Sequence, residues 1–285
     1  MSALRTTHAD ALMIVAKYPE PGAVKTRLAA RIGAERAANL YRAFLGDLAE
    51  RFGATQCADN YQLCWACAPG RHPLTALRSV VGPGAVILPQ RGADFAERLY
   101  HIACDARAAG HRRLVIMSSD SPHLPTGAVA AAFAALDTAD VALGPTEDGG
   151  YYLIGLTLDR RRAGHTSQPA TPPATPPDLF RGIRMSTATV CAETLARAHA
   201  LGLSTTLLAP SFDIDEAPDL ARLWDVLRHA DERLAPRTRL ALAGLLPQLA
   251  PAALLPTREL LIVPAPSAGR DSGSEDSFGD LDSCR

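Results

Sequence analysis

No run of about 18 uncharged apolar residues occurs in this chain, which argues against a membrane-spanning helix. The N-terminus lacks the long apolar core and small-residue cleavage site of a secretory signal. Neither sign of charge is in excess: 29 Lys and Arg face 30 Asp and Glu, a net charge of −1. That balance carries no basic footprint for nucleic acid or a membrane surface. Cysteine is sparse, with six residues (57, 64, 67, 104, 191 and 284) scattered over 285 positions, too few and too dispersed for a disulfide framework. Reduced thiols in a cytoplasmic protein are the expectation. Cys64 and Cys67 have the spacing of a redox or zinc pair, but no second pair accompanies them and they lie in a strand-like run.

Strand-like and helix-like segments alternate along most of the chain. Leu12 to Ala16, Leu63 to Ala68, Ala85 to Leu88, Leu114 to Met117, Val141 to Leu143, Tyr151 to Leu156 and Ser204 to Ala209 read as strands. Apolar residues at helical spacing predict helices over 33–52, about 94–109 and 126–136, and Ser186 is placed to cap another that stops at Gly202. This alternation predicts an α/β fold with a largely parallel sheet and helices on both faces. Its ligands would sit beyond the carboxyl ends of the strands.

A short extension over 1–10 precedes the main domain, expected at 11–232. Residues 166–178, TSQPATPPATPPD, are too rich in proline and threonine to pack and read as a flexible insertion. Residues 233–264 mix leucine, alanine and proline and could form a helical appendage. From 265 to 285 the chain is polar and small, the composition of a disordered tail.

One further absence concerns the stretch AKYPEPGAVKTRLA, residues 16–29. A P-loop needs glycine before its lysine, and Val24 stands there; its first glycine would be Pro19, which has no amide hydrogen to donate. What remains is a buried strand, a turn set by Pro19, Pro21 and Gly22, and two cations, Lys25 and Arg27, entering a helix. That arrangement suits an anion, with a helix N-terminus adding amide donors. It equally describes a plain strand-to-helix turn with solvated cations.

Acidic residues concentrate at three strand ends. Ser118-Ser119-Asp120-Ser121-Pro122 follows a strand, and Asp120 there is either a Mg²⁺ ligand or a turn cap. Gly144 to Tyr152 carries Glu147 and Asp148 beside paired glycines, fitting close approach to a ligand or a hairpin turn. In Phe212-Asp213-Ile214-Asp215-Glu216, alternation puts Asp213 and Asp215 on one side, and Asp215 could also cap the following helix.

Together the runs IVAKYPEPGAVKTRL, SSDSPHLP, LGPTEDGGYYLIGL and FDIDEAPDL resemble the DUF2064 glycosyltransferase-like family, over about residues 11–228. That family belongs to the GT-A-like nucleotide-diphospho-sugar transferases and is similar to 2-phospho-lactate guanylyltransferases. The resemblance implies a nucleotide-binding α/β sandwich and a metal-dependent transferase, moving a glycosyl or nucleotidyl group from a nucleoside triphosphate or nucleotide sugar to a small acceptor. It implies Ala16, Lys17, Gly22, Lys25, Thr26 and Arg27 around the phosphates, with Lys25, Arg27 and Asp120 catalytic. Gln90, Asp94 and Arg98 would lie toward the base and ribose, and Glu147, Asp148, Gly149, Gly150 and Tyr151 toward the acceptor. Asp120 and Asp215 would hold Mg²⁺ or Mn²⁺. Phe95 and Ala96 stand where the family usually has leucine and glycine, and tryptophan is usual near Met185. A nucleotide-binding module without catalysis is the alternative from another class.

Overall fold

The computed structural model describes residues 8–55, 61–159 and 175–245. Seven strands form one sheet: β1 (Asp10–Ala16), β2 (Tyr61–Cys67), β3 (Val86–Pro89), β4 (Arg113–Ser118), β5 (Val141–Pro145), β6 (Tyr151–Thr157) and β7 (Thr205–Leu207). Their order across the sheet is β3-β2-β1-β4-β6-β5-β7. β1 pairs in parallel with β2 and β4, β2 with β3, and β5 with β7. β6 runs antiparallel to β4 and β5, because it returns from β5 through a hairpin.

Alternation along the strands divides the core. On β1, Leu12, Ile14 and Ala16 face one layer, while Ala11 and Met13 face the other. The first layer is closed by α1 (Thr26–Ile32), α2 (Ala34–Thr55), α3 (Arg78–Val81), α5 (Thr126–Ala135), α7 (Ala217–His229) and α8 (Pro236–Leu245). The second is closed by α4 (Phe95–Ala108) and α6 (Val190–Ala200). This is the α/β fold with helices on both faces that the sequence pattern predicts.

Helix α2 shows how packing overrides propensity. Gly46 and Gly53 each cost a helix about 1 kcal/mol. Burying Phe44, Leu45, Leu48 and Phe52, each fully inaccessible, contributes about 2 kcal/mol per side chain and outweighs that cost. Gly46 has its own use, since a Cβ there would come within 2.9 Å of the Arg237 side chain. Arg237 donates to the Gly46 carbonyl, while the buried Asp47 accepts from the backbone amides of Arg237 and Thr238 at the start of α8. α8, which follows the boundary expected at 232, is thereby fixed to α2.

Several local expectations change. α6 starts at Val190, and Ser186 is not its cap but a left-handed residue with φ 64° in the loop before it. The last strand shortens to three residues, β7. Cys64 and Cys67 keep the expected character of ordinary buried cysteines: both are free and buried, and burial pushes the Cys64 thiol up to about 12. Of the proline-rich segment, 175–178 are described: Pro176 is buried, and Asp178 accepts from the amides of Phe180 and Arg181. Residues 166–174, residues 1–7, and the appendage and tail beyond 245 lie outside the described residues. No described helix is long and apolar enough to cross a membrane.

Candidate active site

Between β1 and β4 the strand order reverses: β2 and β3 extend to one side, β6, β5 and β7 to the other. In such sheets the loops leaving adjacent carboxyl ends diverge and open a crevice. Here a cavity of about 590 Å³ opens at that point. Its wall carries four cations, Lys17, Lys25, Arg27 and Arg98, and four acids, Asp120, Asp148, Asp213 and Asp215.

Lys25 occupies the centre. Its side chain is only 5% exposed, and Nζ lies 2.6 Å from Asp120 Oδ1 and 3.1 Å from Asp215 Oδ1. The ammonium also donates to the Ile214 carbonyl at 2.6 Å. Burial pulls its pKa down, but the two carboxylates push harder the other way, and the net shift is upward. The backbone at Lys25 is left-handed, φ 47° and ψ 45°, at the residue that opens α1. For a residue with a Cβ that conformation costs about 1 kcal/mol.

The acids are brought together by backbone pairing. The Ile214 amide donates to the Asp120 carbonyl at 3.0 Å, laying the 212–215 segment along the loop that leaves β4. Ser121 Oγ lies 3.0 Å from the Phe212 carbonyl and 2.5 Å from Asp213 Oδ1. Burial first, then the neighbouring Asp120 charge, pushes the Asp213 carboxyl up to about 7. A hydroxyl has one proton, so a protonated Asp213 donating to Ser121 leaves Ser121 free to donate to Phe212 and satisfies both contacts.

The capping expectation for Asp215 does not hold. Glu216 caps α7, in a reciprocal capping box with Asp219. Asp215 gives only its amide to Asp219, at 2.9 Å, leaving its carboxylate for Lys25. The loop is braced from behind by His123, which stacks on Phe212 with ring centroids 4.1 Å apart and contacts Ser211 Oγ through Nε2. Burial, with the Arg222 and Arg51 charges, lowers its pKa to about 4.

On the cationic side, Arg27 is 68% exposed, 3.8 Å from Glu216. α1 has only seven residues, so positive charge here rests on side chains more than on a helix dipole. The Lys17 amide donates to the Tyr41 hydroxyl, which in turn meets Ser119 Oγ at 2.8 Å. Gln90 is buried with Nε2 on the Ala66 carbonyl at 2.8 Å, which fixes its amide and leaves Oε1 an acceptor without a protein partner. Phe95 is 39% exposed on the same wall. Ala96 turns its methyl into the core beneath α4, away from any ligand.

Of the sequence-derived site residues, Ala16, Lys17, Lys25, Thr26, Arg27, Gln90, Arg98, Asp120, Asp148, Gly150, Tyr151 and Asp215 line this cavity. Four do not. Gly22 makes its turn elsewhere, with φ 80° and open space around it. Asp94 caps α4, accepting from the Glu97 amide. Glu147 pairs with Arg222 on the surface. Gly149, φ 88°, lets the hairpin press against the 185–189 loop, where a Cβ would meet the Ala188 carbonyl at 1.9 Å. Asp148 accepts from Thr146 Oγ1 and the Gly150 amide, so it braces the hairpin turn while lining the cavity wall. Sequence reasoning missed Tyr41, Ser119 and Thr146, and it left Asp213 out of the site despite the alternation that pairs it with Asp215.

Among the described residues no three His, Cys, Asp or Glu side chains form a cage for a metal. The donor set does fit Mg²⁺, which takes one or two carboxylates and completes its shell with substrate phosphate and water. A cation, the Lys25 ammonium, already lies on the two carboxylates in question.

A family model described as "Uncharacterized protein conserved in bacteria (DUF2064)" matches residues 49–187. That span includes Gln90, Asp120 and the β5–β6 hairpin, but neither Lys25 nor Asp215. A crystal structure from Desulfovibrio desulfuricans G20, provisionally assigned as a nucleotide-diphospho-sugar transferase, is 30% identical with a TM-score of 0.74, over 85% of this chain and 97% of that one. A cytidylyltransferase from Leptospira borgpetersenii matches at 11% identity and a TM-score of 0.48, over 85% of this chain and 97% of that one. A 2-C-methyl-D-erythritol 4-phosphate cytidylyltransferase from Thermus thermophilus matches at 17% and 0.40, over 81% and 98%. No curated protein matches the sequence.

Proposed function

This chain belongs to the DUF2064 family, and from that premise we propose that it is a metal-dependent transferase that binds an activated nucleotide in the cavity between β1 and β4. The observation that carries this reading is the convergence of Lys25, Asp120 and Asp215 from three distant segments on one point beyond the sheet's carboxyl ends. No packing need explains three acids around one buried ammonium, and the Asp213 carboxyl is crowded enough to be pushed toward neutrality.

Asp120 and Asp215 would hold the metal. When bound, Mg²⁺ neutralises charge that builds on phosphate oxygens as the leaving group departs. Lys17, Arg27 and Arg98 line the approach and draw a polyphosphate in. The fixed Oε1 of Gln90 accepts a hydrogen bond from a donor group on the nucleoside, and the exposed ring of Phe95 offers a stacking face. Opposite them, Asp148, Gly150, Tyr151 and Met185 line the wall left for the acceptor. A single acid after β4, without an Asp-x-Asp there, favours nucleotidyl transfer with release of pyrophosphate. Glycosyl transfer is the second reading, supported by the assignment of the Desulfovibrio relative.

A panel of nucleoside triphosphates and nucleotide sugars, with Mg²⁺ or Mn²⁺ and phosphorylated or hydroxylated small acceptors, tests the proposal. Pyrophosphate release marks the first reading and nucleoside diphosphate release the second. Binding without turnover across the whole panel would replace the enzyme by a nucleotide-binding module.

A further inference from the structure

Lysine is almost absent from this protein. Of 29 basic residues only Lys17 and Lys25 are lysine, the other 27 being arginine, and both lysines line the cavity. An ammonium differs from a guanidinium in being a compact point charge with three donors. At Lys25 all three are matched, by Asp120 Oδ1 at 2.6 Å, Asp215 Oδ1 at 3.1 Å and the Ile214 carbonyl at 2.6 Å. The side chain is 5% exposed. Placed so, Lys25 has no hydrogen left for a phosphate, although its position in the β1–α1 loop suggests one.

The three oxygens that satisfy Lys25 are also hard ligands of the kind Mg²⁺ takes. They cannot serve a divalent ion and an ammonium together, because two cations at one set of oxygens repel. We propose that Lys25 is the resident counter-cation of the Asp120–Asp215 pair and exchanges with the divalent metal, which expels the ammonium toward the donor phosphates.

This inference rests on the transferase reading and adds an order to it. Metal alone must displace a satisfied ammonium, and a polyphosphate alone finds Lys25 committed elsewhere. When both arrive, the metal takes the carboxylates and the phosphate takes the ammonium. By linkage each raises the affinity of the other by the same factor. The exchange also gives Lys25 a reason not to be arginine, since a planar fork cannot stand in for a small cation between three oxygens.

The test is Mn²⁺ binding to metal-free protein, followed by paramagnetic resonance of the free ion, in wild type and Lys25→Met. The exchange predicts at least tenfold tighter Mn²⁺ binding in Lys25→Met, since no ammonium has to leave. Equal or weaker binding in the variant, with measurable binding in wild type, overturns the exchange and leaves the transferase reading standing. Mn²⁺ binding to neither protein overturns both. Should Lys25→Met fail to fold, wild type labelled with ¹³Cε-lysine gives two lysine signals, assigned with Lys17→Arg. The Lys25 signal is expected to move when Mg²⁺ and inorganic pyrophosphate are added together, and by less with pyrophosphate alone. A Lys25 signal unmoved when calorimetry shows Mg²⁺ bound refutes the exchange.

Discussion

At its amino end β4 presents Arg113, and just past its carboxyl end it presents Asp120. Arg113 forks onto both oxygens of Asp10 on β1, donates to the Phe133 carbonyl and reaches the exposed Asp137. The buried part of that cluster is one cation to one carboxylate, bidentate, and it ties β1, β4 and α5 together. At the other end a single buried ammonium faces Asp120 and Asp215, with Asp213 behind them, and the cluster opens into a cavity. The first arrangement is packed between elements, away from the cavity, and is explained by the fold. The second sets a buried ammonium among acids on a cavity wall, where a further cation could reach them. Access to the cavity, more than the count of charges, separates two ion clusters of similar residue types.

The comparison is broken most severely at Asp120. Asp120→Asn keeps the size and most turn hydrogen bonds but removes the charge proposed to hold the metal. Transfer activity should fall about a thousandfold, or roughly 4 kcal/mol of transition-state stabilisation. The melting temperature should fall moderately, because the buried Lys25 ammonium loses its nearest carboxylate while Asp215 and the Ile214 carbonyl still hold it. EDTA should silence the wild type and Mg²⁺ or Mn²⁺ restore it. A folded variant with near-normal turnover would remove the metal from the reading.

At the closed end the effect should fall on stability instead. Arg113→Met leaves Asp10 buried at 4% exposure without its main partner, at a cost of about 3 kcal/mol. Denaturant unfolding measures this, and turnover per folded molecule should be kept. A large loss of specific activity with unchanged stability would reverse the roles given to the two ends.

The His123 brace sharpens the contrast by pH. Its pKa in the folded protein is about 4, below the ordinary histidine value of 6.5, so the unfolded chain binds a proton that the folded one refuses. Stability supplied by the neutral ring is full above 6.5 and lost as pH falls toward 4, by about 2 kcal/mol from this group. Unfolding at pH 7 and pH 4.5 in wild type and His123→Phe measures it, and the variant should show the shallower decline. Equal declines would take His123 out of the account.

The smallest effect belongs to Glu147, whose pairing with Arg222 lies at the surface. Glu147→Gln should leave the melting temperature essentially unchanged, as solvent screens a surface pair. It should leave transfer rates unchanged, as expected of a residue outside the cavity. A marked rise in acceptor KM would return Glu147 to the acceptor side.

Lys25 marks how far local sequence reaches. Its position in the β1–α1 loop identifies a cation near the carboxyl end of a strand, and exposed charges of that kind add little to folding. The structure buries it between carboxylates, 95 and 190 residues further along, so its removal would leave acids uncompensated and destabilise the fold as well as binding. Asp94 and Glu147 err in the opposite direction. The resemblance implied a ligand-site role for both, but one became a helix cap and the other a surface partner, since an acid near a turn serves backbone amides or a nearby arginine equally well.

Three features were legible in the residues alone: the α/β alternation, the acid-bearing strand ends that line the cavity, and the absence of a P-loop at residues 16–29. They follow from periodicity and from what glycine and proline permit in their own backbone, which are local properties. It took the folded chain to assign the α7 cap to Glu216 so that Asp215 is free, to bring Asp213 among the acids, to set Gly149 against Ala188 instead of a ligand, and to place one lysine on the acid pair. Those outcomes depend on strand order. The reversal between β1 and β4 sets which loops share a crevice, and no residue's neighbours along the chain specify it.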